Sequence, residues 1–363
     1  MKYRLGAVSN TTLKKIIAFL FLLSTASSAH QGGKDSNGGH VDRATKIYHC
    51  HDAGCVTPGT DNSIKITSFN IQFLGNPKNR DNSALASVVA DSDIVLVQEL
   101  VAPPYQGIYP DGTAYKADPE ALVFFKEMAD RGFTYAISEE DTGTGDKIHK
   151  ASSATEWWVA FYKEQKVSIS DELVKDGISG FLASDRSNHD DYERVPYAFP
   201  FRMNETGMDF VLISVHLKPS SGPSNRARRK HELESIYSWV DEHDDKEKDF
   251  IIVGDMNLYS CNVLKTMDIG EFITLNSNCL NTNTNINGPE PFDHVLYRGK
   301  FTTEIDLEYG FTVTNLITAM KAPWYEDFTH EYPGEPYNHN PFRARFSDHH
   351  PVSFKLESAS DDD

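Results

Sequence analysis

From residue 63 onward, short apolar runs bounded by polar loops alternate with longer amphipathic stretches. Runs rich in Ile, Val, Phe and Trp over 64–73, 94–97, 157–162, 210–216, 250–253, 294–297 and 352–356 predict strands. Stretches over 82–90, 119–130 and 225–239 predict helices; near the last, Leu233, Ile236 and Val240 fall at helical spacing. Strands interleaved with helices imply a mixed α/β domain whose layers bury their apolar faces on one another. The stretches 277–291 and 322–341 are expected to be surface excursions.

The chain before residue 63 differs in kind. Lys2, Arg4, Lys14 and Lys15 precede an apolar run over 16–23, and Ser24, Thr25, Ala26, Ser27, Ser28 and Ala29 follow it. That is the plan of a secretory signal peptide over 1–29 with cleavage after Ala29. The run is far shorter than the ~20 residues that span a bilayer, so a soluble exported protein, extracellular or periplasmic, is expected, without stable membrane association. Residues 30–63 are rich in Gly, His, Asp, Ser and Asn, lack apolar periodicity and read as a linker or small appendage. Within them, His40, His49, Cys50, His51 and Cys55 admit two readings: a zinc or copper site, or a short Cys50–Cys55 disulfide with solvated histidines.

The chain carries 35 basic and 53 acidic residues, a net charge of −18, and loss of residues 1–29 removes four cations and no acids. Such a field repels polyanions, so a nucleic-acid substrate would have to be met by local cations and bound metal. Export permits disulfides among Cys50, Cys55, Cys261 and Cys279. Nearest-neighbour pairing is expected, although four cysteines allow three connectivities.

The chemistry is carried by where polar residues stand relative to the apolar runs. The first run leads into Asn70, the second into Gln98 and Glu99, the fourth into His216 and the fifth into Asp255 and Asn257. If adjacent strands bring such residues to one edge, Glu99, Asp255, Asp293 and Asp348 repel one another unless a cation compensates. Oxygen ligands point to Mg2+ or Mn2+, with Ca2+ a third candidate, rather than zinc.

In order along the chain stand the Asn70 strand, Gln98-Glu99, Glu156 before an aromatic strand, Arg194-Val195-Pro196 and His216. Gly254-Asp255-Met256-Asn257, Phe292-Asp293-His294 and Ser347-Asp348-His349-His350-Pro351-Val352 follow. Eight such elements in sequence resemble the endonuclease/exonuclease/phosphatase superfamily, and specifically its deoxyribonuclease I branch. The resemblance implies a four-layer α/β/β/α sandwich with its site at one rim of the sheets, making 64–357 the catalytic domain and 358–363 an acidic tail. It implies metal binding by Glu99 with Asn70 and Asp348, and positioning of water and phosphate by Asp255 and Asn257. His349 would pair with Asp293 and His216 with Glu156, two imidazole–carboxylate pairs whose division into base and acid is open. Arg194 would hold a phosphate oxygen. His350, and Trp157, Trp158 and Tyr162, are expected to be structural. The resemblance also implies a Cys261–Cys279 bridge; the branch's other disulfide has no counterpart, because residues 177–193 contain no cysteine.

The superfamily includes nucleases, sphingomyelinases and inositol-phosphate phosphatases, so loops decide the substrate. Lys218, Arg226, Arg228, Arg229 and Lys230, with Arg343 and Arg345, could meet a nucleic-acid backbone. A lipid-headgroup phosphodiesterase would want an apolar loop for the membrane interface, and Ala322-Pro323-Trp324-Tyr325 is the segment that could serve. A catalytically silent binding module is a third reading, which the complete set of Glu99, Asp255, Asp293 and His349 argues against. The expectation is a monomeric, metal-dependent hydrolase of DNA, with RNA a further candidate substrate, and low sequence specificity.

Overall fold

The computed structural model describes residues 39–41, 48–50, 63–76, 79–143, 149, 155–185, 189–266, 270–359 and 361. The chain divides into units of residues 1–61 and 62–363. In the first, β1 (Gly39–Val41) and β2 (Tyr48–Cys50) form an antiparallel hairpin that pairs His40 with His49. The expected signal peptide, the Cys50–Cys55 pair and the histidine-rich metal site lie outside the residues or side chains described.

The second unit continues with β3 (Ile64–Leu74), α1 (Asn82–Val88), β4 (Ile94–Leu100), β5 (Gly107–Ile108), β6 (Ala114–Tyr115), α2 (Pro119–Asp130), β7 (Thr134–Ile137) and β8 (Trp157–Tyr162). Next come β9 (Val167–Ile169), α3 (Asp171–Lys175), β10 (Gly180–Phe181), β11 (Tyr197–Met203), β12 (Asp209–His216), α4 (Pro223–Asp241), β13 (Phe250–Asp255), α5 (Asn262–Thr266) and β14 (Phe272–Thr274). The last are β15 (Asp293–Arg298), β16 (Thr312–Val313), α6 (Leu316–Ala319), α7 (Lys321–Asp327), α8 (His339–Arg345) and β17 (Val352–Leu356).

Two mixed sheets result. One runs β16-β17-β3-β4-β8-β7; the other runs β10-β11-β12-β13-β15-β14, with β9 also paired to β11. Each is built around one parallel pair, β3 with β4 and β12 with β13, flanked by antiparallel strands.

Side-chain alternation decides the layering. In β4, Val95 and Val97 face a cluster with Leu85, Phe124, Phe125 and Met128 of α1 and α2, while Ile94 and Leu96 face the other sheet. In β13, Phe250 and Ile252 pack with Leu233, Ile236 and Val240 of α4, while Ile251 and Val253 join Ile94 and Leu96 between the sheets. Strands buried on both faces need continuous apolar runs, which is why these segments are so legible. The result is the expected α/β/β/α sandwich. Local chemistry sets the helix starts: Asp118 caps α2 by accepting from the Glu120 and Ala121 amides, with Pro119 in its first turn.

Two features depart from the sequence reading. β11 is not among the strands the sequence predicts, and it contains Pro200, which has no amide to donate to a ladder. It is tolerated where the outer neighbour of β11 changes, β10 pairing with Tyr197 and Ala198 and β9 with Phe201 to Met203. The stretch 322–341 lies largely at the surface but is not a bare loop: it carries helix α7, and Trp324 and Tyr332, with Phe342 just beyond, anchor it in the cluster beneath α1 and α2.

Candidate active site

Strand register builds the site. His216 stands beside Asp255 in the parallel β12–β13 pair, and Asp255 stands opposite Asp293 in the antiparallel β13–β15 pair. One imidazole and two carboxylates thus lie in one row across three strands. In the other sheet Asn70 pairs with Gln98, and the ladder then slips on both sides of β4. Gln72, Phe73 and Glu99 take positive φ values of 58°, 56° and 62° at this irregularity. Such a bulge re-aims side chains, here Glu99. The buried Arg80 holds it by donating to the carbonyls of Ile71 and Gln72.

The two rows meet through Asn70. Its side-chain nitrogen donates to Glu99 Oε1 and to Asp255 Oδ2, each at 3.0 Å. The Phe73 amide donates to Glu99 Oε2 at 3.0 Å, and the Gln72 side chain donates to Asp348 Oδ2 at 2.7 Å. Ser347 Oγ donates to the Asn70 carbonyl at 2.8 Å, seating the segment that carries Asp348 and His349. Deeper between the sheets, Gln98 accepts from Ser68 Oγ and donates to Ser214 Oγ.

Two imidazoles flank Asp255. His216 Nδ1 lies 2.9 Å from Glu156 Oε1, and His349 Nδ1 lies 2.9 Å from Asp293 Oδ2. His349 Nδ1 is hydrogen-bonded to Asp293, whereas His216 Nδ1 meets Glu156 at ion-pair distance without hydrogen-bond alignment; in both rings the carboxylate favours the proton on Nδ1 and leaves Nε2 for other work. Those Nε2 atoms stand 3.6 and 3.5 Å from the same atom, Asp255 Oδ2. Asp255 Oδ1 accepts from the Asn257 amide at 2.8 Å, and Asn257 Nδ2 donates to the Leu217 carbonyl at 3.2 Å. Gly254 permits this packing: at φ 145°, a Cβ there would lie 2.1 Å from the Val215 carbonyl oxygen.

Proton affinities follow from the partners. Burial would lower both imidazoles, yet His349 is held well above 6.5 by Asp293 and Asp255. His216 is raised too, against burial and Arg194, by Glu156 and Asp255. Burial would raise Glu156, but His216, Arg194 and the Glu99 amide hold it below its ordinary value. Glu99 is raised, chiefly by burial and further by Asp348 and Glu156, with His216 opposing.

Among the described residues, two groups are close enough to hold a metal ion: Glu99 with His216 and Asp255, and Asp255 with Asp293 and His349. Asp348 stands outside both, linked to them through Gln72, but its Oδ1 is buried with no hydrogen-bond partner. A buried, unpaired carboxylate oxygen near a carboxyl whose ionisation is disfavoured fits a hard cation.

The Endonuclease/Exonuclease/phosphatase family model matches residues 67–349. The chain belongs to this family. Human deoxyribonuclease gamma is 23% identical over 314 residues, covering 82% of this chain and 87% of the human protein, and points to the deoxyribonuclease I-like branch. The human Nocturnin catalytic domain with bound sulfate is 14% identical, covers 81% of this chain and 94% of its own, and has a TM-score of 0.49. A Bacteroides thetaiotaomicron mannosyl-6-phosphatase is 16% identical, with 81% and 99% covered and a TM-score of 0.47.

The ten residues to which the resemblance assigns roles are joined by one chain of contacts: Asn70, Glu99, Glu156, Arg194, His216, Asp255, Asn257, Asp293, His349 and, through Gln72, Asp348. Arg194 Nε lies 2.8 Å from Glu156 Oε1, so the guanidinium reaches the site through that carboxylate. His350 is structural: its Nδ1 accepts from the Leu316 amide, and burial pushes it down to about 4. Trp158 is fully buried and donates to the Val195 carbonyl. Cys261 and Cys279 are disulfide-bonded, pinning the segment after Asn257.

The basic cluster largely serves the fold instead. Arg228 donates to the carbonyls of His189 and Asp190, Arg229 to those of Lys218 and Ser220, and Lys230 pairs with Glu234. Arg345 donates to the Asn79 carbonyl and pairs with Asp327, and Arg343 lies 3.5 Å from Asp348.

Sequence reasoning missed Glu232. Buried on α4, it accepts from the amides of Glu193 and Lys218 at 2.8 and 2.9 Å, tying together the segments that carry Arg194 and His216. The signal was present: Arg229 and Glu232 fall on the helical stripe of Leu233, Ile236 and Val240, where a charge is out of place unless it has partners.

Proposed function

We propose that this protein is an exported, divalent-cation-dependent nuclease that hydrolyses DNA phosphodiesters with low sequence specificity, RNA being a further substrate, and acts as a monomer. The observation that carries this reading is the convergence of His216 and His349, each backed by a carboxylate, on Asp255 from two sides. Hydrolysis of a phosphodiester needs proton transfer at two oxygens, the attacking water and the leaving alcohol, and two free Nε2 atoms provide for both. One imidazole accepts the proton of the water as its oxygen attacks phosphorus, and the other returns a proton to the alcohol as the ester bond breaks. Asp255 and Asn257 orient the water and the phosphoryl group. Arg194 holds Glu156 against His216 and adds positive charge near the phosphate.

A Mg2+ or Mn2+ held by Glu99, with Asn70 and Asp348 in support, would supply positive charge to the phosphoryl oxygens when bound. The likeness to a deoxyribonuclease favours DNA as the substrate. The apolar run and small residues before position 30 support export. Of the segment 322–325 that a lipid-headgroup reading would use, Trp324 is buried in the core and leaves Tyr325 as its one exposed aromatic.

The test is nicking of supercoiled plasmid by the purified protein with Mg2+ or Mn2+, beside EDTA and His349→Ala controls. Nicking lost in both controls is expected. A folded, metal-supplied protein that leaves DNA intact overturns the reading.

A further inference from the structure

Beside Asn257 lies an open cleft of about 470 Å³ that the chemistry above does not use. One wall is the segment directly after Asn257, with Tyr259 and Asn262; the other is Ser221 and the first turns of α4, with Arg226 and Arg229. The walls are joined to the site itself. The Leu217 amide donates to the Asp255 carbonyl at 2.9 Å, and Arg229 donates to the carbonyls of Lys218 and Ser220, both at 2.8 Å.

The lining has a specific chemistry. Arg229 is 3% exposed, and its guanidinium sits 5.5 Å from the centre of the Tyr259 ring. It braces the wall and props the tyrosine, which stays 36% exposed. Arg226 is exposed, and among the described residues its guanidinium has no hydrogen-bond or ion-pair partner. That separates it from Arg228, Arg229 and Lys230, which are engaged by the fold. In a chain of net charge −18, an unpaired arginine beside an exposed aromatic ring next to the scissile position suits a phosphate followed by a flat base.

We propose that this cleft is a subsite for the nucleotide adjoining the scissile phosphodiester, with Arg226 meeting its phosphate and Tyr259 its base. The proposal rests on the nuclease reading and goes further, since it makes part of the catalytic efficiency depend on substrate beyond the bond that is cut.

The test compares kcat/KM on a short oligonucleotide duplex with that on bis(p-nitrophenyl) phosphate, which is too small to fill the cleft. The oligonucleotide-to-small-diester ratio should fall roughly tenfold in Arg226→Ala and in Tyr259→Ala, the scale of one lost phosphate or stacking contact. Arg226→Glu should lower it further, and Arg226→Lys should restore most of it. The salt dependence of KM for the oligonucleotide should flatten by about one released counterion in Arg226→Ala. If wild type cuts the oligonucleotide and the ratio stays within about twofold of wild type in both alanine variants, the subsite is overturned and the nuclease reading stands. If wild type turns over the small diester and no oligonucleotide, both are overturned.

Discussion

The side-chain amide of Asn70 donates to Asp255 Oδ2 at 3.0 Å, joining residues 185 positions apart across the two sheets. The same nitrogen reaches Glu99 Oε1 at 3.0 Å, so one amide spaces two carboxylates that would otherwise repel. Asn70→Ala should retain the fold by circular dichroism and lose about 10- to 100-fold in kcat or in apparent affinity for Mn2+, the scale for groups that orient ligands. Titration of activity against Mn2+ checks it, and a wild-type curve would refute the spacing role.

Asp293 holds His349 well above its ordinary value and fixes its tautomer. Asp293→Asn removes the charge, so the limb of the pH–rate profile that belongs to His349 should move to lower pH, with kcat down at least about 100-fold. Movement of the acidic limb would assign His349 as the base, and movement of the alkaline limb would assign it as the acid. A profile that keeps its shape and position would sink the pairing.

Glu232 couples the site to the stability of the whole domain. Burial pushes its carboxyl from 4.5 up to about 7. A carboxyl whose folded value lies above its unfolded one contributes its full stability below pH 4.5 and loses it as pH rises through 7. Between pH 5 and pH 8 the wild type should therefore lose stability that Glu232→Gln, uncharged throughout, does not lose. The difference is about 3 kcal/mol, read from urea midpoints at the two pH values.

Gly254 precedes Asp255 with φ 145°, and a Cβ there would meet the Val215 carbonyl oxygen at 2.1 Å. Gly254→Ala must push apart β12 and β13, the strands that align His216 with Asp255. A loss of about 3 kcal/mol or more is expected, together with loss of activity. Wild-type thermal stability in this variant would contradict the close approach.

Trp324 is buried and Tyr325 is 51% exposed, although they are neighbours on α7. Trp324→Ala should cost about 3–5 kcal/mol, whereas Tyr325→Ala should stay within about 0.5 kcal/mol. Denaturant melts of the two variants check the assignment of this helix to the core.

The architecture was legible because its central strands are buried on both faces. Runs such as Phe250 to Val253 have to be apolar throughout, and the layer each residue faces follows from simple alternation. The site was legible in part for a topological reason. Asn70, Glu99, His216 and Asp255 lie toward the C-terminal ends of strands in the two parallel pairs, so each follows an apolar run. Glu156, Asp293, Asp348 and His349 reach the same rim from the opposite direction, at or before the starts of antiparallel strands. Asp293 and Asp348 also stand out as carboxylates that call for a cation, whereas Glu156 and His349 are marked only by the family resemblance.

Residue types and their order along the chain therefore determined the fold class and the set of candidate groups, since both depend on local pattern. Tertiary structure alone decided that both imidazoles turn their Nε2 atoms to the same Asp255 oxygen, that Asn70 bridges the sheets, and that Arg229 and Glu232 serve the fold while Arg226 has no partner among the described residues. Those outcomes depend on strand register and on helix α4 packing against loops distant in sequence, and a pairing made across such distances leaves no periodicity for a local pattern to register.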